Sequence, residues 1–426
     1  MSHIDQQPDL KYLSELYVQD TPSAVLLAEY PSSNSDETQF QNRSKYIIHD
    51  PFPPPSRALL KVLGPHHLMC AWGRCLPLTS EFPPPPLLIQ HWRNIFGDEG
   101  CPIWQPCSLD SVGVASGERD EESVYITLFP HESLSPQQQV IDPDANYSLH
   151  SKEIIAEIDC PQATVLERVT PPCIVKLSHG YAGLGNFVIR DAKDEAEMRR
   201  QMATHWPTST VVVNSIIDNV VGDYGVQFYL RKNGSLVWLG LTEQHFDTSK
   251  KWCGGTFSLN LQTQLFGSLS KIIEPVGEHL HRRGYFGLVG IDVLRDSANR
   301  YFLVDVNPRL TGISPFLMAS RIFAREQGLS EGIYQASCRF QGSLEQLIDL
   351  AERTRDARVV VLSAFEEATA AMAPTTLCHL SVSSNSQQRN QHILTELLTT
   401  PARLPSELRQ RDKMNVSTNL LFFGGS

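Results

Sequence analysis

The chain has 426 residues, with 36 Lys and Arg against 47 Asp and Glu, a formal charge of -11, 41% hydrophobic and 19% charged residues. That length accommodates two to three domains of about 150 residues each. No run approaches the roughly 20 apolar residues of a membrane helix, and the acidic balance repels a polyphosphate backbone, so neither a membrane nor nucleic acid is expected as a partner.

The N-terminal stretch Met1 to Asp9 has neither the basic region nor the apolar core of a secretory signal, and the expected location is cytoplasmic. Nine cysteines, an odd number without a Cys-x-x-Cys pair, read as reduced and mostly buried thiols. His66, His67, Cys70 and Cys75 are the densest group of potential soft ligands, but they lack the paired spacing of a zinc site.

Residues 1–145 differ in character from the rest. Two proline clusters, Pro51 to Pro55 and Pro83 to Pro86, mark connectors, because proline has no backbone N–H and a fixed φ. Neither has a basic residue placed as a proline-binding module would require. The apolar runs Ala24 to Leu27 and Ser123 to Phe129 fit strands of an α/β lobe. From about Asn146 the pattern sharpens. Ser151 is an N-cap candidate for a helical turn with Ile154 and Ile155 on its apolar side. Cys173 to Leu177 reads as a strand running into the glycine-rich stretch Gly180 to Asn186, with Phe187 to Ile189 returning.

Further along, an amphipathic helix is expected over Asp194 to His205 and a β-branched strand over Thr210 to Asp218. A hairpin is expected around Asn233-Gly234, a dipeptide suited to a type I′ turn. A helix over Leu265 to Arg283 stops before Gly284, and a second hairpin runs from Gly290 to Asn307. The tail reads as a helix after Gly342, strands at Ala357 to Ser363 and Thr376 to Val382, and a helix at about His392 to Leu398.

The second hairpin carries the chemistry. A turn centred between Ala298 and Asn299 sets Asp292 opposite Asp305, and strand alternation puts Asp305, Asn307 and Arg309 on one face. Two close carboxylates oppose each other's ionisation unless a cation lies between them. Two carboxylates and an amide oxygen suit Mg²⁺, which takes oxygen ligands and shares its shell with phosphates and water. Gly180, Gly183 and Gly185 leave backbone N–H groups unobstructed for phosphates, and Lys176 on the preceding strand is a mobile point charge. The loop is neither a Walker A motif nor a dinucleotide fingerprint, since a strand follows it.

A strand lysine before a glycine-rich flap, a β-branched linker strand, and a Gly-x-Asp hairpin ending Asp-x-Asn-Pro-Arg, in that order over about residues 146–320, resemble the ATP-grasp superfamily. The resemblance implies an α+β / α/β multidomain chain. It comprises an N-terminal α/β lobe (1–145), a lid subdomain (146–225), a metal-binding subdomain (226–330) and a small C-terminal lobe (331–426). It implies ATP with Mg²⁺ or Mn²⁺ as cofactors, and Lys152, Lys176, Gly180, Gly183 and Gly185 as nucleotide contacts. Either Asp218 or Asp223 would contact ribose, Asp292, Asp305 and Asn307 would be metal ligands, and Arg309 would steady the transferred phosphoryl group.

The chain departs from the family pattern at three places. Asn214 stands where the linker strand usually carries glutamate, Asp305 where glutamate is common, and Lys152 lies closer to Lys176 than is usual.

The implied activity is ligation of a small-molecule carboxylate, such as an amino acid, to an amine through an acyl phosphate, with a homodimer as a candidate assembly. Phosphotransfer, activation of an enol or keto oxygen, and a non-catalytic nucleotide-binding module are the alternatives. Glu243, Gln244, His245, Lys250, Lys251, Arg321 and Arg325 are candidates for substrate contact, His245 as a general base.

Overall fold

A computed structural model describes residues 4–6, 10–31, 42–48, 64–105, 123–180, 185–248, 251–369 and 372–399. The proline cluster at 51–55, Gly183 and Lys250 lie outside them. In chain order the strands are β1 (Ile4–Asp5), β2 (Val25–Leu27), β3 (Leu78–Thr79), β4 (Tyr125–Thr127), β5 (Cys173–Leu177), β6 (Asn186–Ile189) and β7 (Val211–Ser215). They continue with β8 (Val220–Leu230), β9 (Leu236–Phe246), β10 (Trp252–Ser258), β11 (Gly287–Asp296), β12 (Tyr301–Asn307), β13 (Glu331–Phe340), β14 (Arg358–Thr369) and β15 (Met372–Ser384).

Among the described residues the strands form three sheets. A parallel sheet in the order β3-β2-β4 forms the N-terminal lobe, and an antiparallel lid sheet has the order β6-β5-β7. The nine-stranded main sheet runs β12-β11-β8-β9-β10-β13-β15-β14, with β1 added parallel to β9.

Side-chain alternation gives the main sheet two faces of different chemistry. On β8, Tyr224, Val226, Phe228 and Leu230 point into a core shared with Ile291 and Val293 of β11 and with Leu269, Ile273, Val276 and Leu280 of the helix Leu259–Arg282. Asp223, Gly225 and Gln227 alternate with them and face the other way. Burying this apolar stripe fixes the register, because a one-residue slip would turn the carboxylate-bearing face into the core.

The segment after 330, expected as a separate small lobe, supplies β13, β15 and β14, which continue the same sheet. Its edge strand is covered from the N-terminal lobe. In the helix Pro86–Gly100, which opens with proline at its first turn, Trp92 Nε1 donates to Val361 O (2.8 Å), and Val361 N donates to His91 Nε2 (3.1 Å). Two side chains thus satisfy both backbone groups of one edge residue, which removes a site for strand addition.

The Asn233-Gly234 turn differs from the type expected. At Asn233-Gly234, Gly234 N–H donates to Arg231 O (2.9 Å) and Arg231 N–H to Ser235 O (2.9 Å), with Gly234 alone at positive φ (85°). This is a three-residue loop with a left-handed last position, not a type I′ turn. The β11–β12 loop repeats the pattern with Asn299 at φ 59°. Among the described residues no helix is long and apolar enough to cross a membrane.

Candidate active site

The β11–β12 hairpin brings Asp292 opposite Asp305, by a route the turn alone does not explain. Asp296 N–H donates to Arg300 O and Asn299 N–H to Asp296 O (both 3.0 Å), so the loop is centred on Ala298. That register pairs Arg295 with Tyr301 and Leu294 with Phe302. Val304 is then the extra residue of a β-bulge: Val293 pairs with Leu303, but Asp292 pairs with Asp305 and Gly290 with Asn307. The bulge leaves the Val304 carbonyl outside the ladder, where it accepts a hydrogen bond from Lys176 Nζ (2.7 Å).

Neighbouring strands complete the face. Gly225 on β8 is paired with Asp292 and with Thr242 on β9, and Gln244 Nε2 donates to Asp292 Oδ1 (2.8 Å). Burial pushes the Asp292 carboxyl up to about 7, and the charges of Asp305 and Asp223 add to this. Burial likewise raises Asp223 to about 6. Burial also pushes Asp305 upward, but the ammonium groups of Lys152 and Lys176, with hydrogen bonds from Lys152 and from Val306 N–H, outweigh it and hold this carboxyl below the usual carboxylate range.

Two lysines reach this face, Lys176 from the lid sheet and Lys152 from a segment packed against β12. Lys152 opens a short 3-10 helix (Lys152–Glu157) capped by Ser151, whose hydroxyl accepts from Glu153 N–H (3.2 Å), so the expected helix is present in the tighter 3-10 form. The Lys152 ammonium donates to Asp305 Oδ1. Lys176 lies on β5, and burial depresses its ammonium below the ordinary lysine range, against the attraction of Asp305. Lys152, Lys176, Val212, Asn214, Leu303 and Val304 line a cleft between the lid sheet and β12. Asn214 therefore occupies the lid-side wall where the resemblance expects a glutamate.

The flap is anchored at both ends. At its start, Ser178 Oγ donates to His179 Nδ1 (2.8 Å), and His179 Nε2 donates to Tyr147 O (3.1 Å). The imidazole is stacked on the Tyr147 ring (4.1 Å between centroids) in the helix Pro143–Leu149. At its end, Gly185 has φ 77°, and a Cβ there would lie 2.4 Å from Leu177 Cδ1. Gly180 N–H donates to Leu177 O (3.2 Å). Residues 181–184, Gly183 among them, are outside the described residues.

Arg309 follows β12. Its Nη2 donates to Asn307 Oδ1 (3.0 Å), its Nη1 donates to Leu310 O (3.2 Å), and its guanidinium lies over the Phe129 ring of the N-terminal lobe at 4.9 Å. Behind it, Gln227 Nε2 donates to Thr311 Oγ1 (3.0 Å) and Ser314 Oγ donates to Gln227 Oε1 (2.7 Å). Sequence reasoning overlooked Gln227. Its signal was a lone amide inside the apolar run Tyr224 to Leu230.

Of the two candidate ribose acids, Asp223 shares the carboxylate face, whereas Asp218 lies in the connection between β7 and β8. Other candidates fall elsewhere. Arg321 Nη1 donates to the carbonyls of Trp238 (3.1 Å) and Leu239 (2.7 Å) at the β8–β9 bulge, and Arg325 Nη1 donates to Leu10 O (3.1 Å). Both arginines hold the fold together away from the carboxylates. His245 follows Gln244 and points to the opposite face. Lys251 closes the loop before β10 through its backbone, its N–H donating to Asp247 Oδ1 (2.9 Å).

Among the described residues no three His, Cys, Asp or Glu side chains are grouped to hold a metal, His66, His67, Cys70 and Cys75 included. The carboxylate face still fits a hard divalent cation. Its donors are all oxygen, two carboxylates and one amide, and Asp292 is held up to about 7 partly by like charges that a cation would offset. So small a protein set leaves the remaining positions to phosphates and water, as Mg²⁺ prefers.

A lysine-bearing lid sheet folded against a carboxylate-bearing antiparallel sheet is the arrangement of an ATP-grasp fold. Residues 152–307 match the model of the family described as L-aspartate--L-methionine ligase, ATP grasp. No curated protein matches it.

Remote likenesses exist among solved structures. One is the ADP complex of PurK, N5-carboxyaminoimidazole ribonucleotide synthetase, at 10% identity and TM-score 0.49, covering 78% of this chain and 93% of that one. Another is N5-carboxyaminoimidazole synthetase from Staphylococcus aureus with ADP, at 14% identity and TM-score 0.47, covering 73% and 93%. A third is a biotin carboxylase complex from Campylobacter jejuni, at 12% identity and TM-score 0.46, covering 70% and 80%.

Proposed function

We propose that the protein joins a small-molecule carboxylate to an amine, with ATP as co-substrate and an acyl phosphate as intermediate. The observation that carries this reading is the convergence on one sheet face of Asp292, Asp305 and Asn307, with Lys152 and Lys176 above them and Arg309 beside them. A substrate carboxylate oxygen attacks the γ-phosphorus and ADP leaves. The amine then attacks the acyl carbon, phosphate leaves, and the amine's proton passes to solvent.

Lys176 and Lys152 bind phosphate oxygens, and Gly180, Gly183 and Gly185 let the flap lie over them. The linker strand β7 offers backbone groups to adenine, and Asp223 is favoured over Asp218 for ribose by its place on the carboxylate face. Asp292, Asp305 and Asn307 would hold Mg²⁺, or Mn²⁺ in its place, and such an ion would offset negative charge on the phosphoryl group. Arg309 steadies that group and the acyl phosphate. Such catalysis consists of positioning and electrostatics and requires no nucleophilic side chain. Closure of the flap excludes the water that would hydrolyse the acyl phosphate.

The description of the matching family supports amino acids as the substrate class. Dependence on ATP and small metabolites supports a cytoplasmic setting. The test is ADP release across pairs of amino acids, with products identified by mass. ADP release that requires both members of a pair, with a product lighter than their sum by one water, is the expected result. A phosphorylated product formed without any amine would assign the protein to phosphotransfer instead.

A further inference from the structure

We infer that Lys152 is an internal stand-in for the metal ion: without nucleotide its ammonium holds Asp305, and the divalent cation gains that carboxylate only when nucleotide phosphates draw the lysine away. This rests on the proposed reading of Asp292, Asp305 and Asn307 as metal-holding residues.

Three observations carry it. First, the Lys152 ammonium donates to Asp305 Oδ1 with its side chain only 9% exposed, against 22% for Asp305. A charge so enclosed costs free energy unless it is paired, so Lys152 leaves Asp305 only for another anion. Second, Lys176, the lysine of the lid sheet, donates to the Val304 carbonyl and leaves the carboxylate oxygens to Lys152. The two ammonium groups are therefore not equivalent towards a cation at Asp305.

Third, the Lys152 backbone is tied to the lid, although its own segment packs against β12. Its N–H donates to Ser178 O (2.8 Å) at the end of β5, where the flap begins. One residue thus bridges the lid and β12, by its main chain to one and its side chain to the other. A metal ion arriving alone must displace an ammonium from Asp305 and leave that ammonium without a partner. A triphosphate offers Lys152 a new partner and frees the Asp305 oxygen in the same step. Nucleotide and metal therefore bind with positive coupling, and the coupling is reciprocal.

The experiment is titration of Mn²⁺ into the nucleotide-free protein, with bound metal read by electron paramagnetic resonance. If the Lys152–Asp305 pair is closed in about nine molecules of ten, Lys152→Met tightens Mn²⁺ binding about tenfold. Lys176→Met removes the same charge from the same neighbourhood without freeing Asp305, and tightens it far less. Equal affinity in the wild type and Lys152→Met, or equal tightening in both variants, overturns the exchange. Lys152→Gln serves if circular dichroism shows the Met variant unfolded.

The metal assignment is tested separately by adding Asp305→Asn to Lys152→Met. Mn²⁺ binding that survives there places the metal elsewhere and overturns both readings. Loss of binding there, with no gain from Lys152→Met alone, sinks the exchange and leaves the metal site standing.

Discussion

Asp292 faces Asp305 because Val304 bulges out of β12: the loop centred on Ala298 sets the hairpin one residue out of step, and the bulge restores the pairing at the carboxylates. The same bulge turns out the carbonyl that Lys176 binds. One inserted residue therefore aligns two carboxylates and seats a lysine beside them.

Asp305→Ala removes one of the two carboxylates and the partner of Lys152. Magnesium-dependent ADP release is expected to fall by about 10² to 10³, the range seen when a preorganised electrostatic contact is lost. ADP-release kinetics with circular dichroism as the folding control measure this, and turnover near the wild-type rate would remove Asp305 from the metal set.

Gly185→Ala forces a side chain into a left-handed conformation that costs about 1–2 kcal/mol, and against Leu177 at 2.4 Å. The lid should loosen locally, with a higher KM for ATP and faster proteolytic cleavage near the flap. Unchanged values of both would mean that β5 and the flap tolerate a Cβ at this position.

Trp92→Phe leaves Val361 O at the covered sheet edge without its indole donor. A buried acceptor left unpaired costs about 1–3 kcal/mol. A urea midpoint lowered accordingly is expected. A loss confined to the C-terminal strands, with the rest of the chain unaffected, would show that they unfold as an independent unit.

Burial holds His66 and His67 at about 4, and His131 and His150 at about 3, all below the ordinary imidazole range. The unfolded chain binds protons at these sites that the folded chain refuses. Their contribution is intact above about pH 6.5 and is lost as pH falls towards 4, at about 1.4 kcal/mol per pH unit for each histidine. His67→Gln should reduce the slope of stability against pH in that window. A slope identical to the wild type would mean that His67 titrates normally.

The sequence was most legible where pattern and chemistry are local. The glycine-rich stretch, Lys176 and the hairpin follow from alternation and turn chemistry over short stretches of chain, whereas the expected pairing of Asp292 with Asp305 is reached only through the Val304 bulge, which turn chemistry did not reveal. Asp223 and Asp218 were indistinguishable in sequence because either could approach a nucleotide. They part only when β8 pairs with β11 and places Asp223 on the carboxylate face. Arg321 and Arg325, four apart on the helix Ser314–Gln327, looked suited to an anion, yet both serve backbone carbonyls brought in from distant segments.

The sequence by itself determined the order of its motifs and the oxygen-donor character of the carboxylate face, because these depend on residue type and local periodicity. Only the tertiary structure decided that β13, β14 and β15 extend the carboxylate-bearing sheet, that the N-terminal lobe covers its edge through His91 and Trp92, and that Lys152 rests on Asp305. The reason is physical. Strand order and ion pairing across 153 positions of chain depend on which buried surfaces meet, and no local pattern encodes that meeting.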